Sequence, residues 1–167
     1  MTEPTTPAKA ELVQALRDCR DEALTTLRSL PEDRFAQGRY ENGWNGRQIL
    51  AHVASIEWAY PRLLQTAAEA SVAPAAAGAA TPAPAAGGGI DAYNARQVEK
   101  RAGVSIAELT EEFARNRETL IAAVEKVDEA LFAVPIESAG GVTGPLGQVL
   151  RAVAVDHVRQ HVKDIAG

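Results

Sequence analysis

Residues 145–166 read PLGQVLRAVAVDHVRQHVKDIA. Leu146, Leu150, Val153, His157, His161 and Ile165 recur there at steps of four or three, the period of one helix face. Pro145 suits the first helical position, where its missing N–H leaves no bond unmade. The segment predicts an amphipathic helix whose inward stripe carries two histidines among aliphatic residues. A four-residue spacing stacks those imidazoles on one face about one turn apart, so two ring nitrogens can reach one ion.

Similar stripes precede it. Ser105–Ile106–Ala107–Glu108 is a capping box that opens a long helix with the seam Leu109, Phe113, Asn116, Leu120, Val124 and Val127. Asn116 is polar at an inward position and demands a partner. Ile90–Arg101 reads as a short helix with Asp91 near its start. A helix from about Asn45 to Ser71 has the seam Ile49, His52 or Val53, Ile56, Tyr60 and Leu63, with Pro61 predicting a kink or a broken turn. The first helix, about Thr6 to Leu30, is marked by Leu12, Leu16, Cys19, Ala23, Leu27 and Leu30. The connections PEDRFAQGRYENGWNG and EALFAVPIESAGGVTG read as irregular. LPEDRFA before WNGRQIL echoes VDEALFA before GPLGQVL, which suggests two similar helix pairs.

Residues 73–89, APAAAGAATPAPAAGGG, offer no large apolar anchor and read as a flexible surface excursion, with a lid over a pocket as the sharper alternative. Neither side of it alone holds enough helix to close a core. Four main amphipathic helices without strand alternation predict an all-α fold, a single antiparallel four-helix bundle over residues 1–167.

Composition narrows the function classes. Of 167 residues, 46% are hydrophobic and 23% charged, as in a globular chain. A net charge of -5 argues against a grip on nucleic acid, and Arg115 and Arg117 beside Glu111, Glu112 and Glu118 read as an ordinary mixed-charge face. Trp44 reads as a turn anchor and Trp58 as a helix packing residue. One cysteine excludes an internal disulfide framework, and Cys19 reads as a small buried hydrophobe. No apolar run reaches the length of a membrane span, and the start, MTEPTTPAKAELVQ, lacks the order of a signal peptide. The expectation is a cytoplasmic protein with no membrane or nucleic-acid partner.

The chain has three histidines, and all fall on inferred inward seams. A lone His52 on an apolar face is more often a hydrogen-bonded core residue than a ligand. Three buried imidazoles without partners, however, would each cost about 1–3 kcal/mol, a penalty that a shared cation removes. Three such ligands leave a divalent ion an open position. Glu57, Asn94, Asn116 and Asp156 are candidates to support the ligands from behind or to bind a cofactor. Asn116 has the strongest claim, while solvation accounts for Glu57 and Asp156 and a helix start for Asn94.

At these residues the chain resembles the DinB-like superfamily. WNGRQILAHVASIEWAYPRLL is similar to that family's second-helix motif, a Trp-led turn before the first ligand. GPLGQVLRAVAVDHVRQHVKDI is similar to its last-helix motif, and IDAYNARQVEKRAGVSIAELTEEFARNRETL to the segment joining its second and third helices. The resemblance implies up-down-down-up topology, a metal triad of His52, His157 and His161 holding zinc, nickel or iron, and commonly a homodimer. Family members with established chemistry include mycothiol-dependent maleylpyruvate isomerases, bacillithiol S-transferases and small-molecule resistance hydrolases. The isomerases usually carry a further C-terminal domain, which a chain ending at Gly167 is expected to lack. The leading expectation is therefore a metal-dependent enzyme on a small molecule, a thiol S-transferase using a low-molecular-weight thiol. A metal-dependent hydrolase ranks second, because no carboxylate falls on the inferred inner face to serve as base. A non-catalytic metal-binding stress or binding protein is the third reading.

Overall fold

The computed structural model describes residues 6–38, 40–73 and 89–167; the excursion predicted over 73–89 lies, but for its two end residues, outside them. Among the described residues seven α-helices follow in order: α1 (Lys9–Ser29), α2 (Gly46–Glu57), α3 (Pro61–Val72), α4 (Gly89–Lys100), α5 (Ile106–Lys126), α6 (Leu146–Arg151) and α7 (His157–Ala166). Each long helix starts or stops where its chemistry dictates. The Ser105 hydroxyl accepts from the Glu108 N–H at 3.2 Å while the Glu108 carboxylate accepts from the Ser105 N–H at 2.9 Å, which opens α5. Pro61 breaks the second helix as expected, sitting at the first position of α3.

The helices close one core. The α1 seam is buried from Leu12 to Leu27, and Phe113, Leu120 and Val124 of α5 pack into the same interior as Ile49 and Val53 of α2 and Val155 and Ile165 of the last helix. Contacts along the helices fix their directions. Arg17 pairs with Glu125 and Arg28 with Glu111, so α1 and α5 run antiparallel. Arg159 pairs with Glu22, and the Cys19 thiol lies against the Ala154 and Val155 carbonyls, so the last helix runs parallel to α1. Ile165 approaches Gly46, His161 approaches His52 and Tyr60 reaches Val153, so α2 runs antiparallel to the last helix. The result is an up-down-down-up bundle.

The structure corrects the sequence reading at four places. Arg117 is not on a solvated face: it is fully buried, as is Glu57, and the two form an ion pair. Trp58 is 71% exposed, because it stands at the break between α2 and α3 and points away from the core. The connection after α5 holds a short antiparallel hairpin, β1 (Pro135–Glu137) with β2 (Thr143–Pro145). Finally, α6 and α7 are joined by a π-helical turn, Ala152–Asp156, in which the His157 N–H donates to the Ala152 carbonyl five residues back. The extra residue moves Val153 off the seam; beyond Leu150 the buried residues are Ala154, Val155, Val158, His161, Val162 and Ile165.

The internal echo has a structural counterpart. Glu32–Ala36 and Glu129–Ala133 both form a tight 3-10 turn ahead of the next helix of the bundle, and each buries its phenylalanine, Phe35 or Phe132.

Candidate metal centre

His52 is carried by α2, whose start is tightly specified. The Asn45 side chain accepts from the Gln48 N–H at 2.9 Å, and the Gln48 side chain accepts from the Asn45 N–H at 3.0 Å. Gly46 lets the helix begin hard against its neighbours, since a Cβ there would lie 3.0 Å from the Phe35 Cα and 3.3 Å from Ile165 Cγ2. The preceding loop closes through the Gly43 N–H donating to the Tyr40 carbonyl, with Gly43 at φ 82, a left-handed conformation that favours glycine. This loop lays Trp44 against His52, ring centroids 5.3 Å apart, and Tyr40 against His161 at 5.1 Å.

The three histidines meet. Ring centroids are separated by 5.8 Å for His52 and His157, 5.1 Å for His52 and His161, and 4.3 Å for His157 and His161. One ring nitrogen of each lies within 4.8 Å of the other two. His161 and His52 are buried and His157 is half-buried, so the cluster opens on the His157 side. Among the described residues, His52 Nδ1 and both ring nitrogens of His161 are buried without a hydrogen-bond partner. Groups of that kind are costly unless something absent from the protein chain satisfies them.

Electrostatics keep the imidazoles neutral. Burial pulls the His52 pKa down to about 3, with the neighbouring His161 and His157 adding to the effect. Burial, then His157, pulls His161 down to about 4 against the opposing influence of Asp164. His157 is also lowered by burial, opposed by a hydrogen bond to the Val153 carbonyl. Asp164 Oδ2 stands 3.6 Å from His161 Nδ1, too long for a hydrogen bond but near enough to favour a proton on that nitrogen. Three neutral imidazoles, each with a ring nitrogen within 4.8 Å of the other two, form a donor set that would suit zinc, nickel or iron.

The polar residues expected behind the ligands divide. Asn116 Nδ2 donates to the Ala54 carbonyl of α2 at 3.0 Å, which satisfies its inward position. Glu57 is engaged by Arg117 and Asp156 is exposed. Asn94, in α4, has its Oδ1 buried without a partner among the described residues. Cys19 is buried, and burial raises its thiol pKa, which suits a packing role. Asp164, Tyr40 and Tyr60 escaped the sequence reading as site neighbours. Asp164 was legible in hindsight, because it follows His161 by three residues on the same helix.

A sequence model of the DinB superfamily matches residues 38–165, which hold both histidine motifs. The chain belongs to the DinB superfamily. Among solved structures, it is similar to the mycothiol-dependent maleylpyruvate isomerase, with a TM-score of 0.74 and 17% identity over 100% of this chain. The chain spans 64% of that isomerase's length. It is also similar to YfiT from Bacillus subtilis, described as a probable metal-dependent hydrolase with an unusual four-helix bundle topology. That likeness has a TM-score of 0.69 and 13% identity, covering 98% of this chain and 89% of YfiT. At such identities the likeness shows the fold. Among curated proteins none matches significantly.

Proposed function

We propose that this DinB-superfamily protein is a metal-dependent enzyme acting on a small molecule, with His52, His157 and His161 as the ligands and thiol S-transfer as the reaction. The observation that carries the reading is the set of buried imidazole nitrogens without partners, gathered within 4.8 Å on three neutral rings. A divalent cation there would satisfy those nitrogens, and its open position would hold a low-molecular-weight thiol and favour the thiolate.

The chain's own residues prepare that site. Burial holds His52 and His161 in the neutral form at any pH near 7. Asp164 draws the His161 proton to Nδ1, which leaves Nε2 as the donor. Trp44 and Tyr40 cover two of the rings and keep water from them, and Tyr40, 39% exposed, reaches the surface beside the cluster. No residue of the chain is assigned as nucleophile, since Cys19 lies inside the bundle against the last helix.

Hydrolysis is the second reading, favoured by the likeness to YfiT. It needs a general base, and the buried carboxylate, Glu57, is held by both forks of Arg117. Thiol transfer needs no such base and ranks first. A non-catalytic protein in which the ion ties α2 to α7 is the third. A homodimer and a cytoplasmic location extend the proposal; the superfamily resemblance supports the first, and a single cysteine suits the second.

Visible spectroscopy of the cobalt-substituted protein separates these readings. Under thiol transfer, a millimolar low-molecular-weight thiol shifts and intensifies the cobalt bands. Bands that stay unmoved by several such thiols would overturn it, and a sharp fall in melting temperature on chelation would then favour the structural reading.

A further inference from the structure

The π turn in the last helix has consequences for its carbonyls. In an uninterrupted α-helix the Val153 carbonyl would accept from the His157 N–H, four residues on. Here that N–H goes to Ala152 instead of Val153. The Tyr60 hydroxyl donates to the Val153 carbonyl at 2.7 Å. One residue further, the Ala154 carbonyl accepts from Arg117 Nη2 at 2.6 Å. Arg117 is in turn held by Glu57, the last residue of α2, and donates from Nη1 to the Leu16 carbonyl at 3.2 Å.

These bonds gather at one place for a geometric reason. One inserted residue rotates everything beyond it by about 100°, the angular step of the α-helix. In a regular helix continuing the Leu146–Leu150 stripe, His157 would lie on the centre of the core seam. With the insertion, Ala154, Val155 and Val158 take the seam, His161 stays buried beside Val162, and His157 turns to the half-buried flank facing His52. Whatever fixes the π turn therefore fixes the angle at which His157 and His161 meet His52.

We propose that Tyr60 is a positioning residue for the histidine cluster: its hydroxyl, aided by the Arg117–Glu57 pair, holds the π turn that sets the orientation of His157. The inference rests on the reading of the cluster as a metal site. Tyr60 is buried, which pushes its phenol well above the usual range and keeps the proton on its oxygen as a donor. The His157 ring also uses the Val153 carbonyl, so one oxygen links the tyrosine and the imidazole. Both Glu57 and Tyr60 come from the break between α2 and α3, which gives that break a role beyond accommodating Pro61.

The test compares wild type, Tyr60→Phe and Ser138→Ala after cobalt substitution, with cobalt affinity and visible spectrum as readouts and thermal melting as the measure of stability. Tyr60→Phe deletes one oxygen and keeps the packing. It is expected to weaken cobalt binding about tenfold, the lower end of the effect of losing a partner behind a ligand, and to move the visible bands. Ser138→Ala removes a hydrogen bond of the hairpin turn, where the Ser138 hydroxyl accepts from the Val142 N–H, and is expected to lower the melting temperature with bands unchanged. Arg117→Lys keeps the charge beside Glu57 but not the Nη2 bond to the Ala154 carbonyl, and is expected to move the bands in the same direction as Tyr60→Phe. Cobalt affinity and bands identical to wild type in folded Tyr60→Phe or folded Arg117→Lys would overturn the proposal. Wild-type protein with no cobalt bands at all would instead remove the metal reading on which it rests.

Discussion

Arg117 and Glu57, 60 residues apart in sequence, meet inside the bundle with both side chains 0% exposed. Arg117 Nε donates to Glu57 Oε2 at 2.8 Å and Nη2 donates to Oε1 at 2.6 Å, a two-pronged geometry, and Nη1 and Nη2 also donate to backbone carbonyls of α1 and the last helix. One side chain from α5 thus joins all four walls of the bundle. Arginine does not give up its proton in a protein, so the burial of this charge depends on its partners.

Removing one partner is therefore expected to be far worse than removing both. Glu57→Gln strands a buried guanidinium and should cost about 3–5 kcal/mol. The double variant Glu57→Leu with Arg117→Met replaces the pair by apolar bulk and should lose less than either single change. Chemical denaturation of Glu57→Leu, Arg117→Met and the double variant checks this; a double variant less stable than either single would contradict it.

Asn116 serves α2. Its amide donates to the Ala54 carbonyl and the side chain is only partly buried, so water can take its place in part. Asn116→Ala is expected to cost about 1 kcal/mol and to leave metal content as in wild type. Metal loss at retained stability would show that Asn116 supports the ligands after all.

Protonation of the cluster links stability to pH. The unfolded chain takes up protons on histidine near pH 6.5, whereas His52 and His161 in the folded, metal-free protein resist until about 3 and about 4. The unfolded state then binds more protons throughout that window, so folding stability falls as pH drops from about 6.5 toward 4 and is flat with respect to these groups above 7. Denaturant titrations of the metal-free protein at pH 7.5, 6 and 5 should show a steady decline that His161→Gln makes shallower. An equal slope in the variant would contradict the assignment.

The fold was legible in the sequence because helix period, capping boxes and proline placement are local signals. The α1 seam, the Ser105 cap and the break at Pro61 fall where the residues predict. The convergence of His52 with His157 and His161 was also readable, since all three sit on stripes that a bundle must turn inward. The π turn was not, because a five-residue step between apolar positions is indistinguishable from a seam that skips one residue. Arg117 was misread for a related reason: its neighbours Arg115 and Glu118 are solvated, and nothing local marks it as the partner of a carboxylate 60 residues away. Pairings of that kind become visible only when the helices are assembled.

The central claim is that three imidazoles hold one ion, and metal content measures it most directly. Protein purified without an affinity tag should contain, or take up from micromolar zinc, nickel or cobalt, one equivalent of metal per chain. His157→Ala should lose that metal while keeping its helical content, because His157 is half-buried at the rim of the cluster. Wild-type protein that neither contains nor binds a divalent ion, or a His157→Ala variant that retains a full equivalent, would contradict the account.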